Sequence, residues 1–220
     1  MLRPATPGDL ADGAAFLARL VRLEDSAVVR LIAGADRVTL WSATLGVLLR
    51  RDLRGLLAPS DTTVTAVQLF AAVEAAGADS TVALPPARDG QWRRTLPPAR
   101  DWMLLDEVPA EVIRRLAATA ARLVREAPAP ATAGEAVLDQ QTLLVSAGGH
   151  EVSVPVRVVT ALTRMGFLGP DSGVSGVDNL GSGVADPDVV RFGCTPTWLR
   201  AASRHGTVYL RRGGAGLALI

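Results

Sequence analysis

The sequence predicts an α+β fold in which two similar halves, each a helix packed against an antiparallel sheet, form one domain. Amphipathic helical segments alternate with short period-two segments that tight turns separate, and strands joined by short turns pair antiparallel. Both halves follow one order: a long helix, strands, a shorter helix that ends at glycine, and further strands. We therefore divide the chain into an N-terminal half, residues 1–104, and a C-terminal half, residues 105–220.

The N-terminal half opens with a helix signal. Thr6 and Asp9 form a capping box around Pro7, and apolar residues then recur at helical spacing over residues 9–23. The segments that follow are strands over 28–32, 38–42 and 45–49, a stretch over 64–76 that is first extended and then helical, and a strand over 81–84.

In the C-terminal half, Pro109 suits a first helical position and Glu111 a first turn, so a second long helix is expected to about residue 126. An Ala/Pro-rich linker follows over 127–134, and a flexible Gly/Asp-rich loop occupies 169–188. The other expected elements are strands at 141–146, 151–156, 189–193, 207–212 and 217–220, a helix at 158–165, and a segment at 196–204 that fits a helix or a strand equally well.

The composition excludes several chemistries. All 23 basic residues of the 220 are arginine, so a P-loop, a protein kinase and a Schiff-base enzyme, which each need a lysine, are excluded. One cysteine excludes a disulfide framework and a zinc site built from thiolates. We expect no cofactor and no metal, and the sequence argues against an enzyme without excluding one.

The N-terminal residues do not predict a targeting segment. Asp9 and Asp12 interrupt the apolar stretch that a signal peptide needs, and the longest uncharged apolar run, residues 38–49, is too short to cross a bilayer. We expect a soluble, cytoplasmic protein without a membrane partner.

The second long helix carries the clearest candidate site. Arg114, Arg115, Arg122 and Arg125 fall on one side of the helix, opposite its apolar residues. Four guanidinium groups on one face could neutralise phosphates or hold carboxylates in bidentate pairs. The alternative is that this face is only the solvated side of an amphipathic helix.

Two weaker groupings remain open. Cys194, His150 and His205 could form a thiol–imidazole pair, although nothing in their spacing requires it. The glycine-rich loop holds four carboxylates that suit either a weak calcium site or a plain surface loop, namely Asp171, Asp178, Asp186 and Asp188.

A repeated hexapeptide marks the end of the N-terminal half. Leu-Pro-Pro-Ala-Arg-Asp occurs at Leu84–Asp89 and again at Leu96–Asp101, with Trp92 between the copies and Trp102 after them. Paired prolines favour extended backbone. We interpret the segment as a rigid surface loop, with a docking segment for an aromatic-lined groove as the alternative.

Two segments of the chain share one pattern, and that pattern resembles a repeated unit of a known family. In Val64–Gly77 and in Val154–Gly166 an extended Val-x-Val segment leads into a short helix and a glycine turn, and this pattern resembles the repeated subdomain of sliding clamps. The resemblance implies basic helices that face DNA, and the residues it implicates are Arg19, Arg22, Arg114, Arg115, Arg122 and Arg125. The composition, with the stretches Val152–Gly169 and Arg204–Arg212, also resembles an uncharacterised actinobacterial protein.

These observations favour a non-catalytic intracellular binding or scaffold module, whose partner is a protein or a second copy of the chain. The alternative is a nucleic-acid-associated protein that uses the arginine face at residues 114–125. A second alternative is an enzyme with an unrecognised site.

Overall fold

The computed structural model describes residues 1–77, 81–126, 133–169 and 188–212. The strands are β1 Leu2–Pro4, β2 Val28–Ala33, β3 Arg37–Thr44, β4 Val47–Leu57, β5 Asp61–Thr65, β6 Met103–Pro109, β7 Gln141–Ala147, β8 His150–Pro155, β9 Val189–Cys194, β10 Trp198–Ser203 and β11 Gly206–Arg211. The helices are α1 Pro7–Leu23, α2 Ala66–Ala76, α3 Ala110–Glu126, α4 Ala133–Leu138 and α5 Val156–Arg164.

One unit, a strand that leads into a helix, occurs four times. β1 is followed by α1, β5 by α2, β6 by α3 and β8 by α5. The helices then pack in pairs, α1 against α2 and α3 against α5. The predicted α+β fold with repeated helix-plus-sheet units is confirmed.

The two halves share one antiparallel sheet. Its strand order is β5-β2-β3-β4-β11-β10-β9-β6, and β1 pairs with the far end of β4. The halves join where β4 pairs with β11, with Leu48 opposite Tyr209. β7 and β8 form a separate hairpin. The predicted division between residues 104 and 105 stays a prediction, and it lies within β6.

The two faces of the sheet differ, and we call them the inner and the outer face. On the inner face, alternate strand residues such as Leu49 and Leu53 of β4 join apolar residues of α1, α2, α3 and α5 in one core. The intervening residue Leu48 belongs to a different cluster, with Trp41, Trp198 and Tyr209, on the outer face. Since side chains alternate along a strand, all four of these helices lie on the inner face.

Contacts between α1 and the end of α5 connect the halves within the helix layer. The rings of Phe16 and Phe167 lie stacked with centroids 6.3 Å apart. Gly166, at φ 68°, ends the turn after α5, and the guanidinium of Arg19 lies against it. A side chain at residue 166 would strain this left-handed backbone and would displace the guanidinium of Arg19, so the position favours glycine.

Residues 85–102, which we call the strap, cross the outer face. The Asp89 carboxylate accepts a 2.6 Å hydrogen bond from the backbone N–H of Thr63, and the Arg88 N–H donates to the Thr63 carbonyl. The Trp102 indole N–H donates to the Pro98 carbonyl at 3.0 Å. The strap therefore follows a defined path over the aromatic cluster.

Several predicted elements need correction. Residues 103–109 form strand β6, so Pro109 ends a strand and α3 begins one residue later, because pairing with β9 overrides the local helix signal. The strand predicted at 81–84 is reduced to a single bridge between Val82 and Leu2. In the strand predicted at 45–49, Leu45 and Gly46 have positive φ and form a turn, and β4 begins at Val47.

The ambiguous segment at 196–204 is a strand, since Trp198–Ser203 pairs on both sides, with β9 and with β11. His205 therefore lies in a hairpin turn and not in the last turn of a helix. Most of the 127–134 linker, residues 170–187 of the Gly/Asp-rich loop and the strand predicted at 217–220 lie outside the described residues.

Candidate functional site

The solvent side of the helix layer is the first candidate surface. In α3, Ile113 and Ala117 are buried against the sheet, and Arg115, Arg122 and Arg125 are exposed on the other side. This is the amphipathic arrangement that the sequence predicted, and it places three of the four predicted arginines at the surface.

Arg114 differs from these three. Its side chain is only 16% exposed, and its guanidinium donates hydrogen bonds to the carbonyls of Leu168 at 2.6 Å and Gly169 at 3.4 Å. It also pairs with Glu111 at 3.5 Å. Arg114 thus ties α3 to the segment that follows α5, because these carbonyls have left the helical ladder and need donors.

Basic residues of other helices extend this surface. Arg19 and Arg22 of α1 and Arg164 of α5 are exposed, whereas α2 contains no basic residue and exposes Glu74. The positive charge therefore concentrates on α3 and on the C-terminal ends of α1 and α5. Arg164 was missed by sequence reasoning, although it ends the helix that the clamp-like segment predicted.

A pocket at the centre of the outer face is the second candidate. It lies where β4, β10, β11 and the strap meet. Its lining includes the buried side chains of Trp198 and Tyr209 and the exposed side chains of Arg93, Arg94 and Arg211. Within the described part of the chain these three arginines form no ion pair, and no acidic residue lines the pocket.

Sequence reasoning missed this pocket. Arg93 and Arg94 directly follow Trp92 between the two Leu-Pro-Pro copies. This aromatic residue beside two cations is the one sequence signal that could have indicated a binding site in the strap. Arg211 comes from the last described strand, more than a hundred residues away along the chain. Only the pairing of β4 with β11 brings the three together.

Aromatic and arginine side chains alternate beside the pocket. Tyr209 lies 5.3 Å from Trp41 and 5.6 Å from Trp102 between ring centroids, and the Arg200 guanidinium lies 4.6 Å from the Trp102 ring. Burial lowers the pKa of Arg200 below its ordinary value, with Arg50 repelling it further. Cation–π contact with Trp102 offsets part of that cost.

The structure separates the residues that could have formed a thiol–imidazole pair. Cys194 is buried and pairs with Leu199 near the start of β10, whereas His205 follows the end of that strand. About six extended residues separate the two positions, or roughly 20 Å. His150 is exposed at the start of β8, directly after the turn that joins β7 to β8.

Of the four loop aspartates, only Asp188 is described. Its carboxylate pairs with Arg204 at 2.8 Å, and its carbonyl accepts a hydrogen bond from the N–H of Ala110. Asp171, Asp178 and Asp186 lie outside the described residues. Over the described ranges, no three His, Cys, Asp or Glu residues are grouped so as to hold a metal ion. Over the same ranges, no helix is both long and apolar enough to cross a membrane.

The fold is similar to that of bacterial sliding clamps. A candidate DNA polymerase III beta subunit from Eubacterium rectale superposes over 97% of this chain and 66% of its own, with a TM-score of 0.61 and 11% identity. The beta clamp of Helicobacter pylori superposes over 96% and 63%, with a TM-score of 0.59 and 9% identity.

A third solved structure, the DNA polymerase III beta subunit of Thermotoga maritima, superposes over 96% of this chain and 64% of its own, with a TM-score of 0.58 and 7% identity. The chain thus spans somewhat less than two thirds of the length of these clamp subunits. At such low identity the similarity establishes the fold, and it confirms the clamp-like pattern that the sequence suggested.

No curated protein matches the sequence. Residues 1–94 match a family model described as Domain of unknown function (DUF8010). Residues 97–215, which are more than half of the chain, match the model described as Domain of unknown function (DUF8185), and the chain belongs to that family.

Proposed function

We propose that this protein is a non-catalytic cytoplasmic scaffold that binds DNA through the solvent side of its helix layer and a protein partner through the pocket on its outer face. The observation that carries the proposal is the two-sided arrangement of charge. Exposed arginines from helices of both halves lie on one side of the sheet. On the other side lies a pocket with three arginines that form no ion pair with any described residue.

The DNA part rests on exposure and on the kind of fold. Arg115, Arg122 and Arg125 project from the outer side of α3, and the basic ends of α1 and α5 adjoin them. Guanidinium groups bind phosphates bidentately, and each neutralised phosphate releases condensed counterion. Two of the similar solved structures are described as beta subunits of DNA polymerase III. Of the predicted arginines we leave Arg114 out, because it is bound within the protein.

The protein-binding part rests on what lines the pocket. Buried Trp198 and Tyr209 line it with apolar rings. Among the described residues, the lining holds no carboxylate, imidazole or thiol that could act as a general base or nucleophile. Such a lining suits binding better than catalysis. The pocket also lies on the face opposite the helices, so both ligands could be bound at once.

A second copy of the chain is an alternative partner. β5 and β6 are the edge strands of the sheet. The strap already bonds to the outer side of β5 at Thr63, whereas β6 pairs with no strand on its outer side within the described residues. Open edges are sites at which another chain can add a strand. Sedimentation velocity over a range of concentrations tests this alternative, because a dimer sediments faster as its population grows.

Fluorescence anisotropy of a labelled DNA duplex at several salt concentrations tests the DNA part. We expect binding that weakens steeply with salt, and a log–log slope that falls by up to about 2.7 in the variant Arg115→Gln/Arg122→Gln/Arg125→Gln. The control is Arg93→Gln/Arg94→Gln/Arg211→Gln, which removes the same charge from the outer face. Equal losses in both variants, or no binding at low salt, would overturn DNA binding through the helix layer.

A further inference from the structure

We propose that the ligand of the outer-face pocket is an acidic peptide segment of a partner protein, with an apolar side chain seated among Leu48, Trp198 and Tyr209 and with carboxylates held by Arg93, Arg94 and Arg211. This inference rests on the proposed role of the pocket in protein binding and names the chemistry of the ligand.

The charge of the pocket selects an anionic ligand. Arg93 and Arg94 are adjacent in the strap, and Arg211 ends β11 on the same pocket. Two other arginines of the outer face are paired with carboxylates, Arg30 with Asp61 at 2.6 Å and Arg50 with Asp52 at 2.9 Å. The three pocket arginines have no such partner among the described residues, so a ligand that brings negative charge can form ion pairs with them without breaking an existing pair.

The floor of the pocket selects an apolar group beside that charge. Leu48, Trp198 and Tyr209 are each less than 10% exposed, and they belong to one packed cluster that includes Trp41. A rigid apolar floor contributes binding energy only to a ligand that covers it. A free phosphate would use the arginines and leave the floor wet, whereas a peptide that carries both kinds of side chain uses the whole lining.

Contacts of the strap hold the backbone of Arg93 and Arg94 in place, which helps the pocket to discriminate between ligands. Its first part is bonded to β5 through Thr63, and its end is packed through Trp102 on Tyr209 and Arg200. The Trp92 indole N–H also donates to the carbonyl of Arg94 at 2.7 Å, which holds the backbone between the two aromatic residues. Arg93 and Arg94 are therefore presented by a fixed backbone, and less conformational entropy is lost when a ligand binds.

Selection of random displayed dodecapeptides against the whole chain tests the inference. We expect Asp and Glu to be enriched beside an apolar residue, and we expect that enrichment to vanish against Arg93→Gln/Arg94→Gln/Arg211→Gln. The matched control is Arg88→Gln/Arg100→Gln, two exposed arginines of the same strap outside the pocket. Failure to enrich acidic residues, or enrichment that survives the pocket variant, overturns the inference.

A selected peptide, labelled for anisotropy, is then compared with its version in which Asn and Gln replace Asp and Glu. We expect the amide version to bind about tenfold more weakly, as the loss of one charged pair implies. Equal affinity, or complete displacement of the peptide by millimolar inorganic phosphate, contradicts an acidic peptide site. DNA binding is measured in a separate experiment, the anisotropy titration with duplex DNA. If the protein selects acidic peptides but does not bind DNA, only the DNA part of the proposed function is refuted.

Discussion

The inner and outer faces of one sheet are covered in different ways. The inner face is packed by four helices, and its core is almost wholly aliphatic, with residues such as Leu20, Leu49 and Ile113 fully buried. The outer face is covered at its centre by the strap, and its cluster is built from Trp41, Trp198 and Tyr209 with arginines stacked beside them.

This difference separates stability from recognition. Truncating an aliphatic side chain that is packed between helices and a sheet lowers the free energy of unfolding strongly, because the surroundings fill the resulting cavity only in part. Large aromatic rings under a loop, with cations beside them, leave surface that a ligand can still reach. We therefore expect truncations on the inner face to lower the free energy of unfolding more than truncations on the outer face, and we expect binding to depend on the outer face.

The largest expected effect compares two neighbours on β4. Leu49 is fully buried on the inner face, and Leu48 is nearly buried on the outer face. We expect Leu49→Ala to lower the free energy of unfolding by about 3 kcal/mol and Leu48→Ala to cost at least 1 kcal/mol less, since the strap can settle into the space and the helices cannot. Urea denaturation of both variants measures this, and equal losses would show that the two faces contribute alike.

The next effect concerns the packing of the strap. Trp102 is half-buried against Tyr209 and Arg200, so Trp102→Ala should lower the free energy of unfolding by about 2 kcal/mol. Trypsin should also cleave the strap faster at Arg93 and Arg94. Arg100→Gln, in the same strap, serves as the control. Unchanged proteolysis of the Trp102 variant would mean that the bonds to Thr63 alone hold the strap.

A smaller effect separates two adjacent arginines of α3. Arg114 donates to the Leu168 and Gly169 carbonyls, so Arg114→Gln should lower the free energy of unfolding by about 1 kcal/mol and leave DNA affinity nearly unchanged. Arg115 is exposed, so Arg115→Gln should weaken DNA binding and leave stability nearly unchanged. Urea denaturation and anisotropy on both variants measure the contrast. If Arg114→Gln weakened DNA binding and Arg115→Gln did not, the proposed DNA contact through the exposed side of α3 would be wrong.

The smallest effect depends on pH. Burial, and next the nearby Arg204 guanidinium, lower the pKa of His205 below its ordinary value, although Asp188 and Asp12 oppose this. The folded state then binds fewer protons than the unfolded state just below about pH 6.5, so stability is present above that pH and falls as the pH decreases. Between about pH 7.5 and about pH 5.5, wild type should lose more stability than His205→Gln in urea denaturation. Parallel losses would contradict a role for this imidazole.

Local signals predicted most of the elements. The capping box at Thr6 is formed, with the Asp9 N–H donating to the Thr6 hydroxyl at 3.1 Å, and α1 ends at Leu23 as its periodicity predicted. α2 likewise ends just before Gly77. These features depend on residues three to four positions apart, which the sequence displays directly.

The errors lie where distant strands compete with local propensity. Pro109 favours a helix start by itself, but β6 is held in the sheet by β9, about eighty residues away along the chain. The segment at 198–203 has no decisive period, and pairing on both sides makes it a strand. Propensity is a weak prior in such segments because hydrogen bonds to neighbouring strands outweigh it.

The sequence by itself determined the fold class, the helices α1, α2, α3 and α5, and the amphipathic character of α3, because each follows from periodicity within a few residues. Only the tertiary structure decided that Arg114 turns back to Leu168 and Arg115 does not, and that Arg93, Arg94 and Arg211 share one pocket. The physical reason is the same in both cases. A side chain's partners are set by the packing of elements that lie far apart along the chain, and no local pattern encodes that packing.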